Sequence, residues 1–230
     1  MKLYLIPSPI GENNSDLLPP IVHKIIAETK YYLVENERTT RRFISSLNLN
    51  LNIRELVFFR LDKNTKTAQI TTYFSQIPKD ENVGVISEAG CPGIADPGAL
   101  AVAFAHQHNI EVEPVTGPSS IFLALMSAGF SGQNFVFHGY LPIEKTPRTA
   151  FIKKMESEVN RSGQSQIFME TPYRNNALFQ LMIEVGNPST RLCIASDISG
   201  PHQLIKTQNL SEWKKEKVDL NKKPTIFLIG

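Results

Sequence analysis

Cysteine is scarce in this chain. Cys91 and Cys193 are the only two among 230 residues, so neither a disulfide framework nor a Cys-rich zinc site can be assembled. Two reduced thiols fit a cytoplasmic protein. An excess of either charge is also lacking. Lys and Arg number 24 against 22 Asp and Glu, net +2, which excludes a surface coated throughout for nucleic acid. No apolar run approaches the roughly 20 residues of a membrane helix. The opening Leu3-Tyr4-Leu5-Ile6 is cut short by Pro7 and Pro9, so no export signal is expected. There is no Gly-x-x-x-x-Gly-Lys-Ser/Thr phosphate loop, and no Gly-x-Gly-x-x-Gly follows the first apolar run. His106 and His108 are spaced wrongly to share a helix face, and His23, His138 and His202 are isolated, so no metal site is expected.

What is present is ordinary globular composition, 41% hydrophobic and 20% charged. That is enough for a core without staples, in one large domain or two small ones. Short apolar runs at Leu3 to Ile6, Tyr31 to Val34, Glu55 to Phe59, Asn82 to Ser87 and Glu111 to Glu113 predict strands. Between them, Ile21 to Thr29, a segment from Thr39 or Thr40, Ala68 to Gln76 and Ala99 to His108 predict helices, the last capped by Asp96 with Pro97 at its first position. This alternation argues for a mostly parallel α/β sheet. Pro114 to Pro118 reads as a boundary, giving domains 1–115 and 116–230. Beyond it, a helix Ile121 to Ala128 capped by Ser119, helices Thr149 to Val159 and Asn176 to Val185, and strands at 135–137, 165–169, 192–195 and 225–229 predict a second α/β domain with a mixed sheet. Residues 1–113 hold 11 basic and 13 acidic side chains, and residues 114–230 hold 13 and 9, so the positive excess belongs to the second half.

Three loops leave predicted strand ends: Pro7 to Gly11, Ser87 to Gly98 and Thr116 to Ser120. Ligands of open α/β sheets bind beyond the carboxyl ends of the strands. Glycine in such loops brings bare backbone close to a ligand, and proline fixes the path. Cys91 has no identifiable partner base, so it is read as packing or as a ligand wall rather than as a nucleophile.

The segments Leu5 to Gly11, Ser87 to Gly98, Thr116 to Ser120, Phe135 to Pro142 and Glu170 to Arg174 together resemble the tetrapyrrole methylase superfamily of S-adenosylmethionine-dependent methyltransferases. They are most similar to the branch that methylates a cytidine ribose 2′-hydroxyl of small-subunit ribosomal RNA. The resemblance implies two α/β domains, the methyl donor in the cleft between them, and a homodimer. By motif position, it implies donor contacts from Ile10, Glu88, Ala89, Gly90, Cys91, Ser119, Ser120 and Met169. Ala195, Asp197, Pro224 and Thr225 complete that set. The chain departs from the branch at Glu88, where Asp is usual, and at Asn36-Glu37. It also carries Ser196-Asp197-Ile198-Ser199-Gly200 where the branch has Arg-Glu-Leu-Thr-Lys, and Lys223-Pro224 where the branch has Gly-Glu.

Methyl transfer to a hydroxyl needs in-line positioning and benefits from a base. Glu35, Glu37, Glu88 and Glu170 stand at predicted strand ends and are the candidates. Arg38, Arg41, Arg42, Lys145 and Arg148 are the candidate contacts to RNA phosphates. An RNA methyltransferase is the first expectation. A small-molecule methyltransferase and a non-catalytic donor-binding module are the alternatives.

Overall fold

The computed structural model describes residues 1–11 and 14–230, which divide into two compact units, Met1–Ser119 and Ser120–Gly230. In the first unit the apolar runs form β1 (Lys2–Ile6), β2 (Tyr31–Val34), β3 (Val57–Arg60), β4 (Val83–Ile86) and β5 (Glu111–Pro114). They make one sheet in the order β3-β2-β4-β1-β5, parallel at every pairing. Helices α1 (Pro20–Glu28), α2 (Glu37–Ser46), α3 (Thr67–Ser75) and α4 (Gly98–Gln107) join the strands.

The two faces of this sheet are legible in the strand alternation. Leu3, Leu33, Val83 and Val85 pack with Ile70 and Phe74 of α3 and with Ala101 and Phe104 of α4. Ile6, Tyr32, Val34 and Ile86 pack with Val22, Ile25 and Ile26 of α1 and with Ile44 of α2. A sheet covered on both faces requires strands apolar throughout, which is why these runs do not alternate with polar residues. Tyr32 is completely buried, and its hydroxyl donates toward the carbonyls of Ile26 and Thr29, 3.0 Å from each.

In the second unit β6 (Phe135–Tyr140), β7 (Ser165–Met169), β8 (Arg191–Ser196), β9 (Leu204–Asn209) and β10 (Thr225–Ile229) form a mixed sheet in the order β6-β7-β10-β8-β9. Only β6 and β7 are parallel; the other pairings are antiparallel. Helices α5 (Ser120–Ala128), α6 (Lys145–Ser162), α7 (Asn175–Val185) and the short α8 (Leu210–Trp213) complete the unit. One cluster built on Phe168, Phe179, Trp213 and Phe227 forms its core.

Some boundaries differ from the sequence reading. β9 and α8 were not expected. The helix expected from Thr149 begins at Lys145 and carries Pro147 in its first turn, where the missing N–H has no intrahelical partner to lose. Pro97 stands one residue before α4, not at its first position, while Asp96 Oδ1 still accepts from Gly98 N at 2.7 Å. Among the described residues no helix is long and apolar enough to cross a membrane.

Candidate functional site

The connection from β1 runs toward β2, and that from β4 runs the opposite way, toward β5, while β1 and β4 are neighbours. Their following loops therefore diverge from one point of the sheet edge, the position at which open α/β sheets place ligands. The three loops singled out from the sequence meet here. Ser8 and Gly90 form a two-way backbone bridge, Ser8 N to Gly90 O at 3.0 Å and Gly90 N to Ser8 O at 3.1 Å. The Ser8 hydroxyl donates to Ser87 O at 2.9 Å. A Cβ on Gly117 would lie 2.1 Å from Pro7 Cβ, so only glycine lets the third loop lie against the first. Gly90, at φ +74°, faces Pro118 O and the Ile10 side chain, and a Cβ there would approach them to 3.3 and 3.4 Å. Ile10, Gly90, Cys91 and the Gly117-Pro118 segment before Ser119 are thus packed together where the three loops join.

The Cys91 thiol donates to Pro118 O at 3.3 Å. Burial, then the Asp96 carboxylate, pushes its ionisation up, so it stays a neutral thiol that fastens two loops. Asp96 Oδ1 accepts from Gly93 N at 2.6 Å as well as from Gly98 N, and this pins the loop. Its second oxygen is buried without a hydrogen-bond partner among the described residues, and burial raises the carboxyl's affinity for a proton.

Glu35 follows β2 and Glu88 follows β4, the adjacent parallel strand in which Ile86 pairs with Val34. Burial, then Asp96 and Asp62, raises the Glu35 ionisation. Burial, then Glu35, raises that of Glu88, against a hydrogen bond to Thr39 that lowers it. Two carboxyls with raised proton affinity therefore stand at neighbouring strand ends. The Thr39 contact was not foreseen; it follows from Asn36, whose side chain caps α2 by accepting from Arg38 N and Thr39 N.

Several sequence candidates are otherwise engaged. Glu37 is exposed and pairs with Arg41 at 2.8 Å, one turn along α2. Arg41 also donates to Ile53 O at 2.6 Å and stacks its guanidinium 4.5 Å from the Phe58 ring centre. Arg38 and Arg42 remain exposed beside it and, with Ser45 and Ile53, line an open groove. Lys145 pairs with Glu184 at 2.9 Å on the surface.

Two candidates are corrected outright. Glu170 is not a free carboxylate: its side chain is wholly buried, receives Arg148 at 2.8 Å and Arg174 at 2.7 Å, and also accepts from Thr171 N at 2.7 Å. With both oxygens already accepting from these groups, the carboxylate is committed to holding the loop together. Arg148 is likewise unavailable to phosphates, because it is buried against Glu170 and donates to Pro142 O.

The remaining positions lie at one end of the second sheet. Met169 ends β7, half-buried, and pairs with Ile226 next to Thr225 on β10, which in turn pairs with Ser196 at the end of β8. The Thr225 hydroxyl lies 2.9 Å from Ser196 Oγ and is buried. Asp197 Oδ2 accepts from His202 N at 2.8 Å, which commits part of that carboxylate to its own turn. Ala195 is buried within the sheet between β10 and β9, so its side chain offers no ligand surface. Among the described residues no group of three or more His, Cys, Asp and Glu is placed to hold a metal ion.

Residues 2–214 match the family model described as Tetrapyrrole (Corrin/Porphyrin) Methylases. A Ribosomal RNA small subunit methyltransferase I of Hydrogenobaculum sp. is 30% identical over 230 residues, covering 100% of this chain and 95% of that protein. The protein of the same name from Buchnera aphidicola subsp. Schizaphis graminum is 28% identical, covering 99% of this chain and 77% of its own length. Among solved structures, the methyltransferase CobJ superposes with a TM-score of 0.63 at 17% identity, over 100% of this chain and 93% of that one. A Uroporphyrin-III C-methyl transferase from Thermus thermophilus, complexed with S-adenyl homocysteine, gives 0.58 at 16% identity, over 100% and 97% of the two chains. With its order of strands, its junction of three loops and a family match spanning nearly all of its residues, the chain belongs to the tetrapyrrole (corrin/porphyrin) methylase family.

Proposed function

We propose that this methyltransferase moves the methyl group of S-adenosylmethionine to a ribose hydroxyl of RNA, with small-subunit ribosomal RNA as the substrate. The observation that carries the reading is the 30% identity to a ribosomal RNA small subunit methyltransferase I along the whole chain and 95% of the relative. When bound, the donor supplies a methyl group already activated on a sulfonium, so the protein's task is placement and proton removal.

The residues of the first unit suit such a donor. Gly90 packs bare backbone close against Ile10 and Pro118, where a Cβ would press on both, so the junction offers backbone groups to a ligand. Glu88 and Ala89 are exposed beside it. Ile10, the Glu88 to Cys91 segment and Ser119 are the contacts proposed for that unit. Ser120, Met169, Asp197, Pro224 and Thr225 are those proposed for the second. Glu35 and Glu88 are the proposed proton acceptors for the ribose hydroxyl, because both carboxyls sit at the sheet edge and hold a proton more readily than a solvated glutamate. Arg38 and Arg42 are the proposed phosphate contacts on α2. A homodimer and a cytoplasmic location complete the reading; sedimentation equilibrium tests the first.

The test is incubation of the protein with methyl-labelled S-adenosylmethionine and unmodified small-subunit particles or their RNA. Nuclease digests are then analysed by mass spectrometry. The expected product is one 2′-O-methylated nucleoside per RNA. A folded protein that binds the donor by calorimetry and labels no RNA refutes the substrate.

A further inference from the structure

We infer that the carboxyl ends of β6 and β7 carry an aromatic platform on which an unpaired base of the RNA strand stacks. This inference rests on the RNA reading above and names where the second unit holds that substrate. Tyr140, Ile143 and Tyr173 are 58%, 70% and 75% exposed, and exposed apolar side chains gathered in one place mark interaction sites. All three leave the same end of two adjacent parallel strands, since Tyr140 pairs with Met169 across β6 and β7. The register between these strands shifts between Phe137 and Tyr140, around Gly139 at φ +66°. Such bulges re-aim side chains next to functional sites.

The platform is rigidly mounted. Arg148 holds the Pro142 carbonyl of the first loop and the Glu170 carboxylate of the second at once, and Glu170 in turn holds Arg174, next to Tyr173. A third segment joins them. Lys222 N donates to Pro172 O at 3.0 Å, and Asn175 Nδ2 donates to Lys223 O at 2.7 Å. Lys222 is exposed and makes no ion pair with any described residue, so a cation free to meet phosphate stands beside the tyrosines. The unit as a whole has 13 basic against 9 acidic side chains, complementary to a polyanion.

The ligand chemistry follows from these groups. Exposed aromatic faces take any base by stacking, and a nearby lysine takes the backbone charge. A ribose inside a paired helix is poorly presented to an in-line methyl donor; a nucleotide splayed from its strand and stacked on Tyr173 and Tyr140 is held with its sugar free.

The experiment measures binding of a single-stranded RNA oligonucleotide carrying one 2-aminopurine, whose fluorescence is quenched when it stacks. Tyr173→Ala and Tyr140→Ala should each weaken binding about 5- to 150-fold and remove quenching, while Tyr173→Phe keeps both. Lys222→Ala should lower the slope of log affinity against log salt by about 0.7. Donor affinity, measured by calorimetry, should be unchanged in all four variants. Unchanged RNA binding in both alanine variants overturns the platform, as does absence of binding by the unaltered protein. A protein that dissociates into monomers on Tyr173→Ala with RNA affinity intact also overturns it, since the patch is then a subunit contact. Methylation of small-subunit RNA by the same preparations judges the function separately. Methylation with unaltered KM in both alanine variants removes the platform alone, whereas stacking without methylation removes the function alone.

Discussion

Replacing Glu170 with Gln should destabilise the second unit severely. The carboxylate is fully buried, and Arg148 beside it is 7% exposed, so the substitution strands a guanidinium in the interior with one amide oxygen in place of two charged ones. The new amide N–H₂ must point at Arg148, at Arg174 or at Thr171 N, all of which are donors. Breaking one side of a buried ion pair costs about 3–5 kcal/mol. With a urea slope of about 2 kcal/mol per molar for a domain of this size, the midpoint should fall by about 1.5–2.5 M. Trp213, the single tryptophan, is buried in the second unit with its indole N–H on Leu192 O, so its fluorescence reports the unfolding of that unit. The double variant Glu170→Leu with Arg148→Met should recover part of the loss, because Arg148 is no longer orphaned and only Arg174, which is 39% exposed and can turn toward solvent, loses its partner. A midpoint lowered by less than about 0.5 M in Glu170→Gln would refute the assignment of Glu170 as a structural anion and return it to the candidate bases.

Gly117→Ala should separate the first and third loops, cost about 1–3 kcal/mol by overpacking against Pro7, and weaken donor binding in calorimetry. Glu35→Gln should raise the thermal midpoint at neutral pH. A carboxyl whose folded ionisation is raised favours the folded state in acid and opposes it once ionised, so the gain should vanish below about pH 4, where glutamates are protonated in both states. Alkylation of Cys91 by iodoacetamide should lag behind a free cysteine at pH 8.5 and catch up only at higher pH, as its raised ionisation requires; an equal rate at pH 8.5 would show an accessible, unperturbed thiol.

The parallel sheet was readable because buried strands in such a sheet are short, apolar and separated by capped helices. Leu3 to Ile6, Tyr31 to Val34 and Val83 to Ile86 all have this form. β9 was missed for the converse reason. Leu204 to Asn209 is an edge strand, mostly polar and nowhere fully buried, so its composition resembles a loop. The three-loop junction was legible through its glycines and prolines, but the Ser8–Gly90 bridge that fastens it joins residues far apart in sequence and has no local sign. Arg148 shows the same limit. An arginine near the start of a helix reads as solvated, and only its partner in the next loop, Glu170, reveals that it is interior. Exposed tyrosines in the Phe135 to Pro142 and Glu170 to Arg174 segments carried no sequence signal of exposure, because tyrosine is equally at home in a core.

The place of β1 in its sheet has a consequence for synthesis. The strand precedes the other four strands of its sheet in the chain, yet its neighbours are β4 and β5, and Leu3 waits for Val83. At about 5–20 residues per second, that separation is roughly 4–16 s of translation during which an apolar strand has both edges unpaired. On the ribosome the first unit is therefore held open until its last third emerges. The nascent segment from β1 to β3 is the portion of this chain most in need of a chaperone.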